Sequence, residues 1–132
     1  MAAFTTVNLK DEVDNQGPGF GIEPDHMQLR MGRVPLGCEN CGVSYKSIGA
    51  GRREPFGHKH NRQEEVYVLV NGSARMKLDD DVVELRPWSA VRIPPETMRQ
   101  LEAGPEGAEF VVVGAPSTGQ GDGDIEPGWW SD

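Results

Sequence analysis

From residue 43 onward, short runs of β-branched and aromatic residues alternate with turn signals, and no helical period separates them. Residues 43–48 (Val-Ser-Tyr-Lys-Ser-Ile) read as a strand, as do residues 66–70 (Val-Tyr-Val-Leu-Val). Asn71-Gly72 then supplies the residue types that a tight hairpin turn favours, which makes 73–78 its return strand. Asp79-Asp80-Asp81 is a polar turn, 82–85 a strand, Arg86-Pro87-Trp88-Ser89 a turn, and 90–93 a strand halted by Pro94-Pro95. Residues 98–102 and 108–113 complete the set. Strands that recur between turns, with no helices, predict an all-β, antiparallel sandwich or barrel.

The first forty-two residues are less regular. Residues 16–21 (Gln-Gly-Pro-Gly-Phe-Gly) form a loop, and the mixed spacing of 22–31 fits either a strand or a short helix. The pattern therefore divides the chain into an amino-terminal arm (1–42), a barrel (43–114) and a carboxy-terminal tail (115–132). Residues 117–124 are flexible by composition, yet Trp129-Trp130 follows them. Two adjacent indole rings predict a tail that docks on the outside of the barrel, the alternative being a tail that binds a partner.

Composition agrees with one small β-domain. A chain of 132 residues is long enough for a single core, and its 17 glycines and 10 prolines cut it into short segments. A net charge of −8, with 13 scattered basic residues, opposes contact with phosphate backbones and excludes nucleic acid as a partner. The amino terminus lacks a basic region followed by an apolar stretch, and nothing later resembles a membrane span, so a cytoplasmic protein without membrane contact is expected. Cys38 and Cys41 form one C-x-x-C without a second pair, followed by strand-like Gly42-Val43-Ser44-Tyr45 where a redox motif needs a helix. They read as two reduced thiols in a turn, with a redox or metal role as the alternative.

The chemistry gathers around His58, His60 and Glu65. Two histidines two residues apart on a strand point to one face, and inside a barrel that face is the cavity. Glu65 opens the next strand, with Tyr67 and Leu69 on its own face, so it enters the same cavity from beside them. Two imidazoles and a carboxylate on one side of a divalent cation leave its other positions open to water, dioxygen or substrate. The bland reading makes His58 and His60 exposed loop residues beside Lys59, and Glu64-Glu65 a solvated pair. Tyr67 is either core packing or a phenol that hydrogen-bonds a ligand. His26, in the arm, is a surface residue or a recruited ligand.

Residues 58–72 (His-Lys-His-Asn-Arg-Gln-Glu-Glu-Val-Tyr-Val-Leu-Val-Asn-Gly) resemble the first motif of the cupin superfamily: His, any residue, His, three or four residues, Glu, six residues, Gly. The glycine expected before the first histidine falls one place off, at Gly51. The second motif departs from the family pattern: Pro94 survives, but Trp88, Glu96, Arg99 and Ala103 replace its two glycines, its histidine and its asparagine. The resemblance covers residues 44–113. It implies a cupin-type antiparallel β-barrel or jelly roll, with His58, His60 and Glu65 holding a divalent Fe, Mn, Ni or Zn. In cupin-like barrels an arm often crosses to a second subunit, and the apolar residues of 1–42 have no evident partner, so a homodimer is expected.

Arg99 stands where the family places its fourth ligand, and a guanidinium stays protonated and repels a cation. Three readings follow. Arg99 pairs with an anionic substrate that also reaches the metal; or it replaces the cation and pairs with Glu65 in a metal-free pocket; or a shift of register turns it outward and brings Met98 or Gln100 in. Cupins include dioxygenases, isomerases, storage proteins and the sensing parts of regulators, so the resemblance implies a pocket but no reaction. Two functions stand against each other. One is a metal-dependent, oxygenase-like or isomerase-like protein acting on a small anionic molecule through Arg99 and Tyr67. The other is a metal-free, non-catalytic binding or structural cupin.

Overall fold

The computed structural model describes residues 3–117 and 122–132; residues 118–121, inside the stretch read as flexible, lie outside that range. Among the described residues, eight strands follow in order: β1 (Met27–Met31), β2 (Gly42–Ile48), β3 (Phe56–His60), β4 (Glu64–Leu78), β5 (Asp81–Leu85), β6 (Ala90–Ile93), β7 (Arg99–Ala115) and β8 (Gly123–Pro127). One short 3-10 turn, Gly17–Phe20, and one helical turn, Arg33–Leu36, precede the main body. All pairings are antiparallel and belong to one curled sheet. Among the described residues, no helix is long and apolar enough to cross a membrane.

The barrel closes because β4 and β7 are long and bend together. The first half of β4 pairs with β6 and with the second half of β7; its second half pairs with β5 and with the first half of β7. Register shifts between Leu69 and Asn71 and between Gly72 and Ala74 mark the bend. The burial pattern shows why. Inward positions on β4 are Glu65, Tyr67 and Leu69 before the bend and Ala74 and Met76 after it, so the alternation changes phase. On β7 they are Arg99, Leu101 and Ala103, then Ala108, Phe110 and Val112. Each long strand thus keeps its apolar face inward while passing from one side of the barrel to the other.

This corrects two expectations. Asn71-Gly72 is not a hairpin turn but the bulge inside β4, with Gly72 at φ 85°. The same residue types that permit positive φ in a turn permit it in a bulge, and the pairing of both halves with β7 decides between them. For the same reason, 98–102 and 108–113 are parts of one strand, β7.

The interior is filled by Met27, Ile48, Tyr67, Leu69, Met76, Ile93, Leu101 and Phe110, all almost wholly buried. Residues 27–31, left open between strand and helix, are the edge strand β1 on β2. The arm folds back on its own chain: Leu29 N donates to Asn15 Oδ1, Arg30 Nη1 donates to the Val13 carbonyl, and Val13, Ile22 and Met27 are buried. These three find partners within one chain, whereas Phe4, Phe20 and Val34 are exposed. β8, which follows residues 118–121, pairs along all of β3, and Trp130 is buried. Arg53 stacks over the Trp130 ring at 4.2 Å and donates to its carbonyl, while Trp130 N donates to Gln100 Oε1. The Trp129 ring lies against Gly57, where a Cβ would meet it at 2.8 Å.

Candidate metal centre

β3 and the start of β4 present their side chains to the same end of the barrel. His58 and His60 point inward from β3 with rings 5.3 Å apart and nearly perpendicular, and Glu65 enters from β4. Their donor atoms all lie within 4.8 Å of one another. His60 Nε2 is 3.3 Å and His58 Nε2 3.5 Å from the same oxygen, Glu65 Oε1. Neither contact has hydrogen-bond geometry: His60 Nε2 and Glu65 Oε1 are buried without a hydrogen-bond partner among the described residues. Buried polar atoms are normally satisfied, so atoms converging on one point without bonding each other are donors suited to a cation.

The electrostatics favour the same use. Burial holds the His58 imidazole below the usual histidine range, and the Lys46 ammonium adds to this, so the ring stays neutral with a lone pair to give. For Glu65, burial alone would raise the carboxyl, but His58 and His60 outweigh it and hold it far below the usual carboxylate range. The group is an anion at any ordinary pH. Three protein donors of this kind fit a divalent metal.

Arg99 faces this cluster. It opens β7 directly across from His58, is completely buried, and places Nη1 3.6 Å from Glu65 Oε1. Nη2 donates to the Pro94 carbonyl at 3.0 Å, whereas Nε and Nη1 have no hydrogen-bond partner among the described residues. The reading with Arg99 turned outward is therefore corrected. The bulges keep residues 99, 101 and 103 inward, while Gln100 turns toward the tail, donating to the Glu54 carbonyl and accepting from Trp130 N. Met98 precedes the strand, its N–H bonded to Asp79 Oδ1. His26 is engaged elsewhere, its Nε2 2.7 Å from the Arg53 carbonyl oxygen.

Tyr67 is buried in the core with its ring edge-on to Phe110. Its hydroxyl accepts from Lys46 Nζ at 3.3 Å, and burial, with the Glu65 charge, pushes its pKa up. Behind it lies an ion pair that the sequence reading missed: Lys46 Nζ donates to Glu54 Oε2 at 2.7 Å, both side chains being almost inaccessible. Glu54 Oε1 accepts from Leu101 N. Burial by itself would lower the Lys46 pKa, but Glu54 and then Tyr67 outweigh it, and the net shift is upward. The available signal was a lysine in phase with Ile48 on β2. Cys38 and Cys41 are free thiols just past the helical turn, at its carboxy-terminal end, and burial and then Cys41 push the Cys38 thiol up.

Comparison with known proteins gives a fold and little more. No family model matches the chain. An uncharacterized protein of Methanocaldococcus jannaschii is 36% identical over 45 residues, a match that spans 34% of this chain and 36% of that protein. Similar solved structures include a cupin protein from Bacteroides fragilis (21% identity, 90% of this chain and 89% of that one, TM-score 0.69). Another is Pac13 of Streptomyces, described as a nucleoside dehydratase (15% identity, 92% and 90% covered, TM-score 0.73). A third is KdgF from Halomonas (17% identity, 86% and 95% covered, TM-score 0.67). With strands in this order, a curled antiparallel sheet and such neighbours, the chain has the cupin fold.

Proposed function

We propose that this barrel holds a divalent metal through His58, His60 and Glu65 and binds a small anionic molecule beside it, with Arg99 and Tyr67 as the recognising groups. The observation that carries the reading is the convergence of buried donor atoms within 4.8 Å, with Glu65 Oε1 and His60 Nε2 lacking hydrogen-bond partners among the described residues. A metal bound there supplies Lewis acidity and open coordination positions, the basis of isomerase-like or oxygenase-like chemistry. The protein's own groups do the rest. Arg99, with Nε and Nη1 free of hydrogen bonds among the described residues, offers N–H donors and a fixed positive charge to a carboxylate or phosphate. Tyr67 accepts from Lys46, which leaves its own O–H proton to donate. The surrounding buried residues exclude bulk water and strengthen each of these contacts. Some proteins of this fold act on small polar molecules, as the description of Pac13 as a nucleoside dehydratase and its structure with uridine indicate; this supports a small-molecule ligand in the barrel without naming it.

One observation favours a second reading. Arg99 Nη1 lies within ion-pair distance of Glu65 Oε1, so the guanidinium can take the cation's place in a metal-free binding pocket. Metal analysis of the purified protein, with thermal melts in added Fe, Mn, Ni or Zn, separates the two. The metal reading expects bound metal, or a rise of several degrees in Tm, in the wild type and neither in His58→Ala or Glu65→Ala. An unchanged melt and an empty analysis leave the metal-free pocket.

A further inference from the structure

His60 stands between two carboxylates. Its Nε2 faces Glu65 at 3.3 Å, and its Nδ1 faces Asp122 Oδ2, also at 3.3 Å. The two ring nitrogens point apart, so Asp122 lies behind the imidazole and is not a fourth ligand; the convergent donor set contains His58, His60 and Glu65 without it. Asp122 directly precedes β8, sixty-two positions along the chain from His60, and its placement is fixed from several directions. Its Oδ1 accepts from Arg62 N at 3.1 Å and its Oδ2 from Gln63 N at 3.2 Å, while its carbonyl accepts from Asn61 N at 2.8 Å. Gly123 sits directly opposite His60 in the β3–β8 register, where a Cβ would come within 3.6 Å of His60 Nδ1. The buried Trp130 holds the other end of the segment. The carboxylate is 7% exposed and aimed at the back of one ligand.

We propose that Asp122 is a positioning residue for the metal centre: its carboxylate takes the Nδ1–H of His60, which selects that tautomer and leaves the Nε2 lone pair facing the point shared with Glu65. This rests on the metal reading for its purpose, although not for its tautomer. A ligating histidine normally donates its other ring N–H to a carboxylate or carbonyl, which fixes the ring and raises its basicity. At 3.3 Å the two atoms are within reach of a hydrogen bond whose angular geometry the contact does not meet. Both Nδ1 atoms are buried without a hydrogen-bond partner among the described residues, but of the two only that of His60 has the Asp122 carboxylate beside it, at 3.3 Å. The carboxy-terminal segment then completes the site as well as covering the barrel.

The test is 15N NMR of the two imidazoles in the metal-free protein, with Ni2+ titration calorimetry beside it, on wild type, Asp122→Ala and Asp122→Asn. The asparagine variant keeps the shape and one acceptor oxygen, and so serves if the alanine variant folds poorly. In the wild type, His60 is expected as the Nδ1–H tautomer; in the variants its signals shift toward a tautomer mixture, while those of His58 stay in place. Ni2+ affinity is expected to fall by about 10- to 100-fold in Asp122→Ala and by less in Asp122→Asn. An Nε2–H tautomer in the wild type overturns the proposal, as does an equal shift of His58 and His60, which would mean a loosened turn. Failure of the wild type to bind Ni2+ sinks the metal reading instead, and the imidazole signals still decide the role of Asp122.

Discussion

Arg99 and Glu65 face each other across the barrel, Nη1 3.6 Å from Oε1, at the point where His58 and His60 also converge. A fixed positive charge therefore sits where a fourth imidazole would complete a metal site. Replacing Arg99 by His removes that charge and adds a nitrogen donor. Ni2+ affinity is expected to rise at least about tenfold, roughly 1.4 kcal/mol, as read by calorimetry against wild type. An unchanged affinity would mean that Arg99 does not compete with a cation at Glu65.

The Lys46–Glu54 pair makes a separate forecast about stability. Both side chains are nearly inaccessible, so removing one partner leaves a buried, unpaired charge. Lys46→Met is expected to lower the unfolding free energy by about 3–5 kcal/mol. Adding Glu54→Gln should recover a good part of this, since glutamine keeps an acceptor for Leu101 N while removing the stranded charge. Urea denaturation of the three proteins measures it, and a double variant no more stable than Lys46→Met would show that the pair is not what matters there.

The strands and the ligand face were legible because both depend on period-two alternation. His58 and His60 share a face by spacing alone, and Glu65, Tyr67 and Leu69 share theirs; the structure places all five inside. What could not be read was anything set by distant pairing. The Asn71-Gly72 bulge and the fusion of 98–102 with 108–113 depend on β4 and β7 running beside each other through a bend. Lys46 and Glu54, eight positions apart, meet only because β2 closes against the segment before β3. Asp122 reaches His60 from a glycine-rich stretch with no local signal of a strand. Arg99 was singled out by its mismatch with the family motif, but its inward aim needed the register.

Acid should weaken the fold partly through Glu109, a half-buried residue of β7 between β2 and β4. Its carboxylate accepts from Asn71 Nδ2, the Tyr45 hydroxyl and Lys10 Nζ, which hold its pKa down to about 2. The folded value lies below the unfolded one of about 4.3, so its contribution is fully present above that pH and is lost as the pH falls toward 2. Glu109→Gln should therefore be less stable than wild type at neutral pH, with the difference shrinking between about pH 4 and pH 2. Denaturant midpoints across that range test this, and a constant gap between the two curves would rule it out.

Gly72 offers the sharpest check on the bend itself. A Cβ there would lie 2.0 Å from the Gly107 carbonyl oxygen, a backbone atom of the facing bulge, and φ is 85°. Neither group can move without parting β4 from β7, the pair on which barrel closure depends. Gly51 is the control, since it too has positive φ, 66°, but a Cβ there meets nothing within 4 Å. Gly51→Ala carries the backbone penalty alone, about 1 kcal/mol, whereas Gly72→Ala adds a steric clash and should lose at least about 3 kcal/mol or fail to fold. If the two variants melt together, β4 and β7 do not approach as closely at the bulge as the register requires, and Asn71-Gly72 returns to the hairpin that its sequence suggests.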